Sequence, residues 1–283
     1  MSLIDVSFSI VLYNNNPLEV KALLSSIEKV SLEYVVFVID NSQTNALQTL
    51  ISSFRNTEYI HTGKNIGFGN GHNIGINKVG KRSRYHVILN PDVTFDRQTI
   101  EPLFSFMEQN TDVGLVMPKI LYEDGNIQKL CKLLPKPSDL IIRRFIKPLG
   151  THLNFELKFE LSDFDFDSIL EVPSLSGCFM FTRTTVLNEV GGFDPRFFLY
   201  LEDFDLTRRM RKISKTIYFP YTSATHRFDK ASYSNPKMLL LHISSAIKYF
   251  SKWGWFFDKE RDFINKQTLR QIYKLSKNEA KNQ

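Results

Sequence analysis

The sequence predicts an α/β protein with a mixed, mostly parallel central sheet flanked by helices and followed by a C-terminal helical extension. Three observations carry this. Short runs rich in Val, Ile, Tyr and Phe alternate with stretches of helical period from Val6 to Asn90, the pattern of βαβ units. Those runs stop at polar residues, at Tyr13-Asn14, Asp40-Asn41 and Asn90-Pro91-Asp92. Polar groups therefore gather at the carboxyl ends of strands, where ligands bind in open sheets. Finally, 42% apolar residues in a chain of 283 suffice for one sizeable core.

The elements follow in order. Val6 to Tyr13 is a buried strand, and Asn14-Asn15-Asn16-Pro17 a turn into a helix, because Pro suits the first helical turn. Leu18, Ala22, Leu23, Ser26 and Ile27 recur at helical spacing. Tyr34 to Ile39 is the second strand, Thr44 to Phe54 a helix, and Glu58 to His61 a third strand. Asn65 to Lys78 opens glycine-rich and becomes helical. Tyr85 to Leu89 is a fourth strand, ended by Pro91. Gly114 to Pro118, Val172 to Thr182 and a last short run, Ile217 to Phe219, read as further strands, with a helix over Asp203 to Lys212. Prolines at 135, 137 and 148 break the pattern before a Phe- and acid-rich stretch, so 135–167 reads as a mobile or partner-facing insertion. From Pro236 the chain is helical, with Leu239, Leu240, Ile243, Ala246, Ile247 and Phe250 on one side.

A net charge of +6 fits anionic partners such as nucleotide phosphates or acidic lipid. No basic-aromatic stripe marks a nucleic-acid binder. The two cysteines, Cys131 and Cys178, lack metal-ligand spacing and fit a reducing compartment. The N-terminus shows no basic region or cleavage site, and no run is long and apolar enough to span a bilayer. The expected location is cytoplasmic.

Several motifs could carry chemistry. Asp40-Asn41-Ser42 offers a carboxylate for a nucleobase N–H, or simply an Asx-turn. Asn65-Ile66-Gly67-Phe68-Gly69 with Asn73 offers backbone that can approach a diphosphate, or a loop needing positive φ. Asp92 suits a hard cation completed by substrate phosphates, with His226 as a further ligand. Glu202-Asp203-Phe204-Asp205 places acids in the first turn of a helix. The helix dipole there favours the charged form, as a base requires. Asp203 is the candidate base, and Glu202 could hold a hydroxyl or a cation. Plain helix capping is the competing explanation.

Taken together and in order, Val11-Leu12-Tyr13-Asn14, Asp40-Asn41-Ser42, Asn65-x-Gly67-Phe68-Gly69 with Asn73-x-Gly75, Asn90-Pro91-Asp92, Ser176-Gly177-Cys178, Gly191-Gly192-Phe193-Asp194 and Glu202-Asp203-Phe204-Asp205-Leu206 resemble the family 2 inverting glycosyltransferases of GT-A fold. The nearer resemblance is to the rhamnosyltransferase-like branch of bacterial surface polysaccharide (O-antigen, capsule) synthesis. It covers about Ser7 to Arg227.

The resemblance implies a nucleotide-sugar donor, a dTDP- or UDP-sugar, bound by Tyr13, Asn14, Asp40, Asn41, Ser42, Asn65, Gly67, Phe68, Asn73 and Asn90. It implies Mg²⁺ or Mn²⁺ on Asp92, deprotonation of the acceptor hydroxyl by Asp203, and acceptor contacts at Gly177, Cys178 and Asp205. The usual Asp-x-Asp is Asn90-Pro91-Asp92 here. Rhamnose is the favoured sugar, with galactose and N-acetylglucosamine open, and the acceptor a polyprenyl-diphosphate-linked saccharide. A nucleotidyltransferase is the alternative, although Tyr13-Asn14-Asn15-Asn16 lacks the glycine-rich basic signature that such enzymes carry after their first strand.

The division expected is a GT-A domain over 1–230 (nucleotide-sugar half 1–115, acceptor half 116–230) and an extension over 231–283. In the latter, Lys248 to Phe257 mixes Lys with Trp and Phe. That suits a membrane interface, a homodimer contact or packing on the domain.

Overall fold

The computed structural model describes residues 3–141, 158–227 and 236–282. Of the segment 135–167, expected to be a mobile or partner-facing insertion, residues 142–157 lie outside the described residues; after them Phe159, Leu161, Phe164 and Phe166 are buried in the main core and face no partner. In chain order the strands are β1 (Ile4–Leu12), β2 (Tyr34–Asp40), β3 (Thr57–His61), β4 (Ser83–Leu89), β5 (Val93–Phe95), β6 (Val113–Leu121), β7 (Leu170–Glu171), β8 (Phe179–Arg183) and β9 (Lys215–His226). The helices are α1 (Pro17–Ile27), α2 (Gln48–Ile51), α3 (Phe68–Val79), α4 (Ile100–Gln109), α5 (Pro137–Ile141), α6 (Thr184–Glu189), α7 (Glu202–Met210), α8 (Pro236–Trp253) and α9 (Lys259–Asn282).

One sheet has the order β3-β2-β1-β4-β8-β6-β9-β5, with β7 also on β9. Strands β1 to β4 are mutually parallel. In the second half β8 runs antiparallel between β4 and β6, and β9 lies parallel to β6. Register sets the site. Leu12 pairs with Asp40, Asp40 with His61, and Ile10 with Leu89, so four strands end together.

Both faces of this sheet are covered. Phe8, Ile10, Val36, Val38, Val87 and Leu89 belong to the main core, and Val11, Phe37, Ile39 and Val79 to a smaller one. The strands are near-continuous apolar runs because neither face meets water.

One polar chain crosses this interior. Ser7 Oγ donates to Tyr85 O, so His86 Nδ1–H donates to Ser7 at 2.8 Å. His86 Nε2 then accepts from Ser9 Oγ at 2.8 Å, and Ser9 accepts from His72 Nδ1–H at 2.7 Å. Both rings are neutral, and burial pushes His86 down to about 3.

Four expectations need amendment. The helix expected over 44–54 is only α2, since Asn, Ser and Thr on either side bond locally instead. The last strand is β9, twelve residues rather than three. Pro118 faces Phe219 but Lys119 faces Ser223, so Pro220 to Thr222 bulge outward and pairing resumes as far as His226. The expected single apolar side of α8 is split. Phe250 is buried with Tyr249 and Ser245, whereas Leu240, Ile243 and Ile247 face solvent. The short β5, missed in the sequence, pairs with the end of β9.

Candidate active site

The loop Ser176-Gly177-Cys178 joins the two acidic motifs. Gly177 N–H donates to Asp203 Oδ2 at 3.2 Å. The next residue's carbonyl, Cys178 O, accepts from Asn90 N–H at 2.9 Å. Two consecutive residues thus hold the base candidate on one side and the Asn90-Pro91-Asp92 turn on the other. A side chain at Gly177 would press on the Phe68 ring and on Asp203 Cβ.

Asp203 stands in the first turn of α7. Its Oδ1 accepts from Phe204 N–H at 2.8 Å. Burial raises its pKa, opposed by the Lys132 ammonium and by the backbone N–H groups. The helix terminus alone was expected to keep this carboxylate in the ordinary range; burial outweighs it. Glu202 is buried, with Oε2 lacking any hydrogen-bond partner among the described residues. Burial and the neighbouring Asp203 charge push it upward too. The turn into this helix is strained, with Tyr200 at φ 71° and Leu201 at φ 63°. Helix α8 braces it: Ser245 Oγ donates to Leu199 O at 2.7 Å, and His242 lies against Tyr200.

Asp92 Oδ1 is buried with no hydrogen-bond partner among the described residues, 3.4 Å from His226 Nε2. Asn90 Nδ2 lies 3.4 Å from the same nitrogen. A carboxylate oxygen and an imidazole nitrogen converging at this spacing form a donor pair for one divalent cation. No cluster of three or more His, Cys, Asp and Glu occurs among the described residues. The remaining coordination positions would thus fall to phosphate oxygens and water, as Mg²⁺ sites commonly arrange. The residues fit the group.

At the nucleotide end the structure revises several roles. Asp40 is 1% exposed. Its Oδ1 accepts from Ser42 N–H at 2.9 Å and its Oδ2 from Tyr59 OH at 2.7 Å. It closes an Asx-turn, the alternative that the sequence offered for it. Asn41 ties this turn to the glycine loop, donating to Gly67 O at 3.2 Å and accepting from Thr62. Ser42 Oγ accepts from Asn14 N–H at 2.9 Å. Asn65 accepts from Gly67 N–H.

Gly67 has φ 89°, and a Cβ there would collide with Phe198 O. Asn73 clamps both backbone groups of Phe193 at 2.8 Å. Tyr13, just past the end of β1, is 52% exposed.

Two residues expected at the acceptor, Asp205 and Cys178, have other partners in the fold. Asp205 is fully buried. Its Oδ1 takes Trp253 Nε1 at 2.8 Å and Lys252 Nζ at 2.6 Å, and its Oδ2 takes Arg209 at 2.8 Å. It fastens α7 to α8. Cys178 is buried, and burial pushes its thiol up to about 12; its carbonyl, not its sulfur, serves the site.

The residues missed in the sequence are Lys132, whose charge acts on Asp203, and Gln128, which bonds His226. Neither carries a local signal, since each lies in an irregular stretch after β6.

The sequence pattern that defines glycosyl transferase family 2 matches residues 7–191. The chain belongs to this family. Among curated relatives, an N-acetylglucosaminyl-diphospho-decaprenol L-rhamnosyltransferase of Mycobacterium tuberculosis is 25% identical over 202 residues. That match spans 68% of this chain and 66% of the relative. Rhamnosyltransferase WbbL of Escherichia coli is 23% identical over 82% of this chain and 88% of its own length.

Among solved structures, GalNAc-T7 with UDP, GalNAc and Mn²⁺ superposes with TM-score 0.65 at 14% identity, over 93% of this chain and 50% of that one. A Pyrobaculum calidifontis mannosyltransferase with GDP-Man and Mn²⁺ gives 0.57 at 15% identity, over 88% of this chain and 65% of that one. The family 2 chain therefore has the GT-A fold.

Proposed function

We propose that this family 2 chain is an inverting glycosyltransferase. In this reading it moves rhamnose from dTDP-rhamnose to a hydroxyl of a polyprenyl-diphosphate-linked saccharide in surface polysaccharide synthesis. The observation that carries the reading is the Gly177–Cys178 pair, whose backbone bonds Asp203 on one side and Asn90, two residues before Asp92, on the other. The names of the relatives support the sugar and the lipid-linked acceptor.

Asp203, its basicity raised by burial, takes the proton of the acceptor hydroxyl as that oxygen attacks the anomeric carbon from the face opposite the leaving diphosphate. Gly177 N–H and Phe204 N–H orient the carboxylate, and the Lys132 charge opposes the burial that raises its pKa. Glu202, its pKa raised by burial and then by the Asp203 charge, can donate to or position the acceptor. Asp92 and His226 hold a divalent cation, which when bound neutralises charge on the leaving nucleotide diphosphate. Tyr13 stacks on the base, while Asn14, Ser42, Asn65, Gly67 and Phe68 shape the nucleotide wall.

A panel of dTDP- and UDP-sugars with a lipid-linked acceptor, run with and without EDTA, tests this. Transfer from dTDP-rhamnose with inverted configuration is expected, abolished by EDTA and restored by Mn²⁺ or Mg²⁺. In that panel Asp92→Ala should weaken metal-dependent donor binding about 10- to 100-fold. Transfer indifferent to EDTA would remove the cation from the scheme.

No helix among the described residues is long and apolar enough to cross a membrane. The proposed contact with the inner face of the cytoplasmic membrane is the α8–α9 turn, where Phe256 and Phe257 are 74% and 97% exposed beside Trp255. Replacing both Phe residues by Ser should lower partitioning onto anionic vesicles severalfold. Unchanged partitioning would reject this contact.

A further inference from the structure

Gln128 is 3% exposed and sits beyond β6, where its own N–H donates to Ile120 O at 2.8 Å. Its side chain meets three groups. Nε2 lies 2.6 Å from His226 O and 3.3 Å from Leu121 O, and Oε1 lies 2.9 Å from His226 Nδ1. The amide can adopt one orientation only. Turning it over would set its oxygen against two carbonyl oxygens, and each of those accepts but cannot donate. With the –NH₂ committed to the carbonyls, Oε1 faces His226 Nδ1, and that nitrogen must carry the proton.

The consequence falls on the far side of the ring. A neutral imidazole protonated at Nδ1 presents a lone pair at Nε2. Nε2 is the atom 3.4 Å from both Asp92 Oδ1 and Asn90 Nδ2. The Asn90 amide can donate to such a lone pair, so it agrees with this tautomer. In the opposite tautomer, Nε2–H would point at the Asp92 carboxylate and close the gap as a hydrogen bond. The same two residues can therefore form either a sealed His–Asp pair or an open pair of cation ligands, depending on which nitrogen holds the proton.

We propose that Gln128 is a positioning residue that locks His226 in the Nδ1–H tautomer and so converts the His226–Asp92 pair into a cation site. This rests on the cation role given to that pair under Proposed function. Gln128 does not touch substrate; it acts through the ring. Metal-bound histidines depend on such partners, and their loss typically weakens metal binding about 10- to 100-fold.

The test has two readouts, neither of which is turnover. Long-range proton–nitrogen NMR of ¹⁵N-histidine protein, assigned with His226→Gln, reports the tautomer in the wild type directly. Mn²⁺ binding in the presence of UDP, followed by electron paramagnetic resonance, reports the site. Wild type is expected as the Nδ1–H tautomer. Gln128→Met keeps the volume and removes the amide. It should populate Nε2–H and raise the Mn²⁺ dissociation constant about 10- to 100-fold, with UDP binding in the absence of metal unchanged.

An Nε2–H tautomer in the wild type overturns the proposal whether or not any variant folds. So does a Gln128→Met protein with wild-type tautomer and affinity. Either result leaves the glycosyltransferase reading standing. A wild-type protein with Nδ1–H that binds no Mn²⁺ removes the ligand role of His226, and with it the cation step of that reading.

Discussion

Two kinds of buried acid stand in this molecule, and the contrast between them separates scaffold from chemistry. Asp40 and Asp205 each have both carboxylate oxygens occupied, by Ser42 N–H and Tyr59 OH in one case and by Trp253, Lys252 and Arg209 in the other. Glu202 is buried and Asp92 keeps a side chain 24% exposed, yet each has one oxygen shielded from water that accepts no hydrogen bond among the described residues. Leaving a buried acceptor unmet costs about 1–3 kcal/mol. Glu101 Oε2, on α4, is unmet as well, so an unmet oxygen alone does not mark a site; at Asp92 and Glu202 it coincides with the two acidic motifs that the Gly177–Cys178 backbone joins. All four acids follow strands or open a helix in the same way, so position alone does not distinguish the kinds.

The largest effect that could break this contrast is on turnover. Asp203→Asn keeps an oxygen for Gly177 N–H and removes the proton acceptor. Transfer should fall about 10²- to 10⁴-fold, the usual contribution of a general base, while nucleotide binding stays within twofold. Single-turnover kinetics beside calorimetric titration with UDP or dTDP separates the two. Substantial residual turnover would move the base elsewhere.

Next in size is the scaffold side. Asp205→Asn leaves Lys252 and Arg209 against an amide in a buried site. Breaking one partner of a buried ionic cluster costs about 3–5 kcal/mol. Chemical denaturation should show most of that loss, with nucleotide affinity unchanged in the folded protein. A variant of normal stability that fails only with acceptor would return Asp205 to the acceptor site.

These outcomes bear on what a sequence can disclose. Strands β1 to β4 were legible because a strand buried on both faces must be written in apolar, β-branched residues, and its end must be polar. The motifs of the site were legible for the same reason. Their saturation was not. That Tyr59 closes on Asp40, or Trp253 on Asp205, depends on packing between segments 19 and 48 residues apart. Gln128 reaches His226 across 98 residues. Strand β9 was read too short because Pro220 ends a regular strand but not one that bulges and resumes. The outer stripe Leu240, Ile243, Ile247 has a helical period like any core face. Periodicity reports that a helix is amphipathic, not which partner covers it.

The smallest expected effect sharpens the contrast through pH. Glu202 is buried beside Asp203, and both causes raise its pKa above the ordinary carboxyl value. The folded state then binds more protons than the unfolded state between the unfolded value, about 4.3, and the raised one. The stability this group contributes is fully present below the unfolded value and is lost as pH rises through the folded one. Buried His86 works the other way, with its pKa lowered to about 3. Its stability is intact above its unfolded value, about 6.5, and falls as pH drops toward 3. Glu202→Gln removes only the first slope. The variant should unfold like wild type in acid and be more stable at pH 8 by about 1–2 kcal/mol, each unit of pKa shift being about 1.4 kcal/mol. Thermal melts across pH 4 to 9, a range chosen to span roughly both slopes, would show the two curves diverging only on the alkaline side. Divergence on the acid side, or none, would mean that Glu202 is as saturated as Asp40.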